Sequence, residues 1–327
     1  MNPLTLATLR CLGDGEFHSG EDIATGLGVT RATVWNAVRE ASGLGLAVES
    51  VRGRGYRLPD APVWLDAKRV AELLGPRANR VRIEVVEHVE STNTALLDRS
   101  ASGLPSGAVL AAEIQSAGRG RRGRAWSSGL GGALTFSLMW RFEQGAAALT
   151  GLSLVVGVAV VRALSALGAS EVRLKWPNDV LYRGRKLGGI LIEVQGDALG
   201  PATAVIGIGI NVRVPPAWRD RIDQPIADAM EAGAGDDRNR LLGTVLAELV
   251  EWLDAFSREG FAPLEPEFRR WHALQDEEVV VHPAQGKPVQ GRARGTAADG
   301  SLLVETAEGM LRFHGGEVSL RAAPGVA

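Results

Sequence analysis

The chain has 327 residues, of which 45% are apolar and 23% charged, with a net charge of −2. That length fits two or three domains with ample core material, and the balanced charge excludes a general polyanion-binding surface. One cysteine excludes a disulfide framework, so Cys11, inside the apolar run 4–12, is expected to be a buried thiol in a reducing cytosol.

The five histidines have no ligand spacing, which gives no metal-binding cluster. The first residues lack the basic and apolar regions of a signal peptide. The longest apolar stretch, 149–167, is interrupted by Gly, Ser and Arg162 and reads as a buried helix, not a membrane span.

Residues 1–62 form a first domain. Leu4, Leu6, Leu9 and Leu12 predict one helix. Ser19 caps a second over 21–27, Gly28-Val29 turns the chain, and Thr30 caps a third over 31–40. Helix, glycine turn and helix make a helix-turn-helix. Two short strands, 46–48 and 56–58, flank Arg52-Gly-Arg-Gly55 and form a wing. In such a winged helix-turn-helix the third helix enters the DNA major groove, presenting Arg31, Thr33, Asn36 and Arg39. Arg52 and Arg54 of the wing meet phosphate or the minor groove. Acidic and basic residues balance in this segment. A protein-interaction or purely structural role for it therefore stays open.

Pro59-Asp-Ala-Pro62 marks a linker. Residues 63–272 alternate the two periodicities: helices at 66–74, 95–99, 149–167 and 241–258, and strands at 83–89, 109–114, 134–140, 172–175, 187–194 and 204–212. Residues 273–327 carry short strands, with turns at 283–286, 299–300 and 308–309, and predict a small β-barrel. The whole is a multidomain α+β chain.

Of 36 basic residues only four are lysine, and two of these, Lys175 and Lys186, fall in Lys175-Trp-Pro-Asn-Asp179 and Gly184-Arg-Lys-Leu-Gly-Gly-Ile190. A chain that otherwise writes Arg keeps Lys where a compact point charge must meet a carboxylate or phosphate. Two surface lysines at an element end are the plainer alternative. The run 115–126 holds Gly118, Gly120 and Gly123 among Arg119, Arg121, Arg122 and Arg124. Its G-x-G-x-x-G spacing is no dinucleotide fingerprint, because no helix opens after it. Arg side chains on a glycine backbone suit a loop that closes over phosphates and carboxylates; a nucleic-acid patch or a solvated loop are the alternatives. No P-loop occurs, so any ATP is held by this loop and the lysines. Gly207-Ile-Gly-Ile-Asn211 is a strand whose glycines imply close approach of a ligand or backbone. Ser91-Thr-Asn-Thr94 caps a helix start that suits a small polar group.

Together these motifs, in this order, closely resemble the biotin–protein ligase family in its bifunctional, operon-repressing form. The resemblance runs from the winged helix to the C-terminal Gly-Gly-Glu-Val-Ser-Leu-Arg321. It implies a central mixed α/β ligase domain of the biotin/lipoate ligase type and an SH3-like C-terminal barrel. It further implies attack of biotin carboxylate on the ATP α-phosphate, giving biotinyl-5′-adenylate. A lysine of the biotin carboxyl carrier protein of acetyl-CoA carboxylase then takes the biotin.

By that resemblance Ser91, Thr92, Asn93 and Gln115 hold the ureido head. Arg119, Gly120, Arg121 and Arg122 close over the adenylate, Trp126 walls the ring and tail, and Gly189 borders the biotin. Lys186 meets the carboxylate and α-phosphate. Lys175, Asn178, Gly207, Gly209 and Asn211 lie near the nucleotide. Asp179 orients or deprotonates the acceptor amine. Mg²⁺ accompanies the triphosphate, operator DNA is the second partner, and the adenylate-bound form is a homodimer. Two positions depart from the pattern: Ala133 stands where Asn is expected, and Gly188 replaces Ala. A lipoate–protein ligase and a non-catalytic biotin sensor are the alternative readings.

Overall fold

In a computed structural model of the chain, residues 2–219, 222, 224–283, 286–315 and 319–322 are described. The head contains α1 (Pro3–Cys11), α2 (Gly20–Leu27) and α3 (Arg31–Gly43), then the hairpin β1 (Glu49–Val51) and β2 (Gly55–Arg57). The hydroxyl of Ser19 accepts from Asp22 N and that of Thr30 from Thr33 N, satisfying N–H groups that have no helical partner. Gly28 ends α2 at φ +64°, a conformation with little cost only for glycine. Helix α3 continues to Gly43, beyond the expected 40. The first strand begins at 49 instead of 46, because Leu46 is buried and its N–H closes the helix onto Ala41 O at 3.2 Å. Cys11 is half-buried at the edge of the head's core, not enclosed by it.

The central region contains α4 (Ala67–Leu74), β3 (Arg82–Val89), α5 (Thr92–Ser100), β4 (Ala108–Gln115), β5 (Ala133–Phe142), α6 (Leu152–Ala166), β6 (Val172–Lys175), β7 (Asp179–Tyr182), β8 (Arg185–Gly196) and β9 (Ala202–Asn211). After it come the short α7 (Pro216–Arg219) and α8 (Ala229–Ala232), then α9 (Arg238–Glu259) and α10 (Glu265–Trp271). Its seven strands form one mixed sheet in the order β3-β4-β5-β9-β8-β7-β6, with only β3 and β4 parallel. Sequence periodicity does not reveal β7 or α10. The four residues of β7 are too few for an alternation to stand out.

Alternation divides the sheet into two faces. Leu134, Phe136 and Leu138 of β5 and Ile206, Ile208 and Ile210 of β9 enter the main core, which is capped by α4, α6 and α9. Met139, Val205, Leu110 and Leu96 form a much smaller cluster under α5. Most of the α5 face is left for polar residues and glycine. The expected helix 149–167 begins at Leu152. Gly151 takes φ +81°, and a Cβ there would lie 2.5 Å from the Phe261 ring, so the chain turns before the helix starts.

The chain just after the linker is clamped by a buried ion pair. Arg238 and Glu113 are 1% and 2% exposed and meet at 2.5 Å. Arg238 also donates to Val63 O, and Glu113 accepts from Leu65 N at 2.8 Å. Removing one partner of such a pair would cost about 3–5 kcal/mol. Leu130, from the segment after the Gly-Arg loop, is 3% exposed within the head's own core, and its N–H reaches Leu44 O at 2.9 Å.

The C-terminal region is a five-stranded antiparallel sheet of β10 (Glu278–His282), β11 (Val289–Thr296), β12 (Leu302–Thr306), β13 (Gly309–Phe313) and β14 (Ser319–Ala322), ordered β13-β12-β11-β10-β14. Of the expected turn at 283–286, residues 284 and 285 lie outside the described residues, as do 316–318 of the C-terminal motif. The indole N–H of Trp176 donates to Gly300 O at 3.0 Å, fastening this region to the central sheet.

His272, at the same seam, is 5% exposed and stacks on Phe268 at 5.2 Å. Burial pushes its imidazole down to about 4, with the Gln275 side chain opposing weakly. The unfolded chain therefore binds the extra proton first. Stability from this group is full above pH 6.5 and is lost as pH falls toward 4. Relative to His272→Leu, the wild type should lose about 3 kcal/mol across that interval. Urea denaturation of both proteins at pH 7 and pH 4 checks this; a constant difference between them would refute it.

Candidate functional site

One cavity of about 900 Å³ opens on the α5 face of the sheet. Its floor is β9. The residues on that face are Val205, Gly207, Gly209 and Asn211, because their neighbours Ile206, Ile208 and Ile210 are committed to the core. Both glycines have a steric cause. A Cβ on Gly207 would lie 2.2 Å from Asn93 Oδ1, and one on Gly209 would lie 2.5 Å from the Trp126 indole. The strand thus seats a helix-borne amide and a loop-borne ring directly on its backbone. Across β8, Gly189 pairs with Gly209 and continues the same shallow floor.

At the α5 end, Ser91, Thr92 and Asn93 are buried. Ser91 Oγ accepts from Thr94 N as the helix cap. Gln115 Oε1, at the end of β4, accepts from Thr92 N at 2.7 Å and from Thr92 Oγ1 at 3.2 Å. Thr92 Oγ1 also meets Ser137 Oγ at 2.7 Å, and Ser137 donates to Asn93 Oδ1 at 2.5 Å. Asn93 Nδ2 donates to Leu191 O and to Glu193. Asn93, expected to hold a ligand head, has its amide hydrogen-bonded within the protein at both ends.

The Gly-Arg loop covers the other side. Trp126 N donates to Gly118 O at 2.8 Å and Gly120 N to Arg124 O at 2.7 Å, which folds the loop back on itself. Arg122 takes φ 59° and Gly123 φ 71° at its tip. Arg119 reaches Glu193 at 2.7 Å, and Arg121 Nη1 donates to Asn178 Oδ1 at 2.8 Å. Burial lowers the pKa of Arg121 from its usual value, against the attraction of Asp179. Arg122 and Arg124 are exposed on the cavity rim.

Lys186 Nζ lies 2.8 Å from Asp179 Oδ1. A bulge shifts the β7–β8 register between Val180 and Leu181, the device by which a strand re-aims a side chain. The Lys186 backbone is held by Pro225 O, Ala227 N and the Asn211 amide. Asn211 Nδ2 also donates to Ala227 O. Asn178 Nδ2 donates to Ile190 O at 3.0 Å. Lys175, paired across the sheet with Asp179, lines the cavity and is half-buried. Gly188 is tight: a Cβ there would lie 2.8 Å from Gly209 O. Ala133 pairs directly with Asn211.

Every ligand residue expected from the sequence therefore lines this one cavity: Ser91, Thr92, Asn93, Gln115, Arg119, Gly120, Arg121, Arg122, Trp126, Lys175, Asn178, Asp179, Lys186, Gly189, Gly207, Gly209 and Asn211. Three participants were missed. Thr135 and Ser137 alternate with Leu134, Phe136 and Leu138, a polar stripe legible in the strand. Glu193 is a lone carboxylate in an apolar strand. Ile222, Gln224, Pro225, Ile226 and Leu320 line the cavity without any sequence signal.

On the head, Arg31, Asn36 and Arg39 are exposed on α3, and Arg52 is exposed at the wing tip. Thr33 is half-buried, its hydroxyl bonded to that of Thr30. Arg54 lies over Phe17 at 4.0 Å. Trp35, not expected at this surface, is 48% exposed, with Arg39 stacked on it at 4.6 Å.

Three family models match: the biotin/lipoate A/B protein ligase family over residues 85–211, an HTH domain over 5–57, and the biotin protein ligase C terminal domain over 277–321. The chain is 41% identical to the bifunctional ligase/repressor BirA of Salmonella typhimurium, over 98% of each chain. It is 39% identical to that of Escherichia coli, again over 98% of each. Among solved structures it resembles biotin protein ligase from Aquifex aeolicus in complex with biotin and ATP, with TM-score 0.63 and 30% identity, over 74% of this chain and 99% of that one. With the head, the sheet cavity and the C-terminal sheet each matched in order, the chain belongs to the biotin protein ligase family, in its bifunctional ligase/repressor group.

Proposed function

We infer that this protein joins biotin to a target protein at the expense of ATP and also acts as a biotin-responsive repressor. The observation that carries the ligase reading is the cavity itself. A polar, hydrogen-bonded end at Thr92 and Gln115, an aromatic wall at Trp126 and a cationic end at Lys186 and Arg121 succeed one another along β9. A neutral ureido ring and an anionic tail match that order.

In the reading we favour, a carboxylate oxygen of biotin attacks the α-phosphorus of ATP, the bond to the β-phosphate breaks, and pyrophosphate leaves. Two anions must approach for this to happen. Lys186 and Arg121 lower that repulsion by standing where both charges gather. Asp179 holds the Lys186 ammonium in place before substrate arrives. The amine of the acceptor lysine then attacks the acyl carbon, AMP leaves, and the amine's proton is lost. Asp179 is the base nearest to take it.

Among the described residues no group of three or more His, Cys, Asp or Glu forms a metal cluster. Mg²⁺ therefore fits as a companion of the triphosphate, keeping most of its waters. The acceptor we propose is the biotin carboxyl carrier protein of acetyl-CoA carboxylase. Exposed Arg31, Asn36 and Arg39 support base readout, with Arg52 and Arg54 supporting phosphate contacts. Paired half-sites require a two-fold protein, so the repressing form is proposed to be a homodimer carrying the adenylate. No helix among the described residues is long and apolar enough to cross a membrane. A reaction that uses ATP and a head that binds DNA both belong in the cytoplasm.

The decisive experiment is the intact mass of a carrier domain after incubation with this protein, ATP and Mg²⁺, with biotin and lipoate offered in parallel. A biotin adduct on the acceptor lysine is expected. A lipoate adduct alone, or none with folded protein, overturns the ligase reading. Lys186→Ala should lower pyrophosphate release by about 100-fold or more, in line with removal of one preorganised charge, while its circular dichroism stays unchanged. Gly209→Ala should displace Trp126 and raise the biotin KM by about tenfold or more, since a 2.5 Å contact must be relieved; an unchanged KM would refute the stacked geometry. Sedimentation with and without biotin plus ATP should reveal dimer only with both, and equal dimerisation constants would remove the proposed coupling.

A further inference from the structure

We propose that Glu193 is a positioning residue for substrate, latching the Gly-Arg loop to the ring end of the cavity. The inference rests on the biotin-site reading above. A single oxygen of Glu193, Oε2, accepts from Arg119 Nη2 at 2.7 Å and from Asn93 Nδ2 at 2.9 Å. Three segments distant in sequence thus meet at one atom: the start of α5, the loop, and β8. Glu193 lies on the cavity face because β8 alternates as β9 does. It pairs with Val205, as Leu191 pairs with Gly207 and Gly189 with Gly209.

The consequences follow from what each partner does. Asn93 sits on Gly207 and, through Ser137, is linked to Thr92, whose N–H and hydroxyl are held by Gln115. Fixing Asn93 therefore fixes the polar end of the cavity. Fixing Arg119 anchors one side of the loop whose other side carries Trp126, bonded back to Gly118. Glu193 thus ties polar floor and aromatic lid together. The side chains of Arg119 and Glu193 are 43% and 28% exposed, so the ion pair itself contributes little to global stability. Its effect is to preorganise the loop, and it acts at the end of the cavity away from Lys186.

The test compares binding of biotin and of its uncharged alcohol, biotinol, by calorimetry in the absence of ATP. Glu193→Ala should weaken both ligands by the same factor, about tenfold, as expected for a lost charge-assisted hydrogen-bond pair at a part-exposed site. Glu193→Gln, which keeps an acceptor oxygen without the charge, should fall between wild type and Glu193→Ala and guards against misfolding of the alanine variant. The KM for biotin should rise in step, with kcat at saturating biotin nearly unchanged. Unchanged affinity in both variants overturns the proposal. So does tighter biotin binding with biotinol unaffected, because that is the signature of a distant negative charge removed. Absence of biotin binding by the wild type would instead overturn the biotin-site reading itself.

Discussion

The architecture depends on strict two-residue alternation along β9, at the centre of a seven-stranded sheet. Ile206, Ile208 and Ile210 must face the helices, because that is where the apolar volume lies. Gly207, Gly209 and Asn211 must then face the other way. A slip of one residue would bury the cavity floor and expose the isoleucines. The paired strands β5 and β8 obey the same rule, which aligns Ser137 and Leu191 with Gly207, and Thr135 and Gly189 with Gly209. The cavity is thus the second face of the core, and its depth is set by missing side chains.

Upon that floor the protein builds a gradient of polarity. Closely spaced neutral hydrogen bonds occupy the α5 end, an indole the middle, and cations the far end. The buried polar groups are costly unless they are paired, and most of these are paired among themselves. Asn93 and Asn211 illustrate the result. Both line the cavity, and the amide nitrogen of each donates to neighbouring backbone or side chains. In the proposed reaction, rigidity of this kind lets Lys186 and Arg121 meet developing charge without reorganising first.

The head is joined to this apparatus by more than a tether. Leu130 lies in the head's core four residues beyond Trp126, and Glu113, on the strand that ends at Gln115, lies 4.0 Å from Arg10 of the head. Loop and β4 therefore each touch both the cavity and the head. In a protein that binds a small molecule in one place and DNA in another, such shared elements are where coupling has a physical route.

Sequence alone indicated the order of domains, the helix caps and many of the residues that line the cavity. Ser19, Thr30 and Ser91 cap because their hydroxyls bond the local backbone, and such signals span only a few residues. Scarcity of lysine singled out Lys186, and the glycine–arginine run singled out its loop, because these patterns deviate from the rest of the chain. Tertiary structure decided the partnerships. Glu193 meets Arg119 and Asn93 across separations of 74 and 100 residues, and Leu130 packs into a domain to which it does not belong by sequence. Neither is encoded by a local pattern. Both arise because strand register and chain reversal bring distant residues to one face, a constraint that exists only once the sheet has formed.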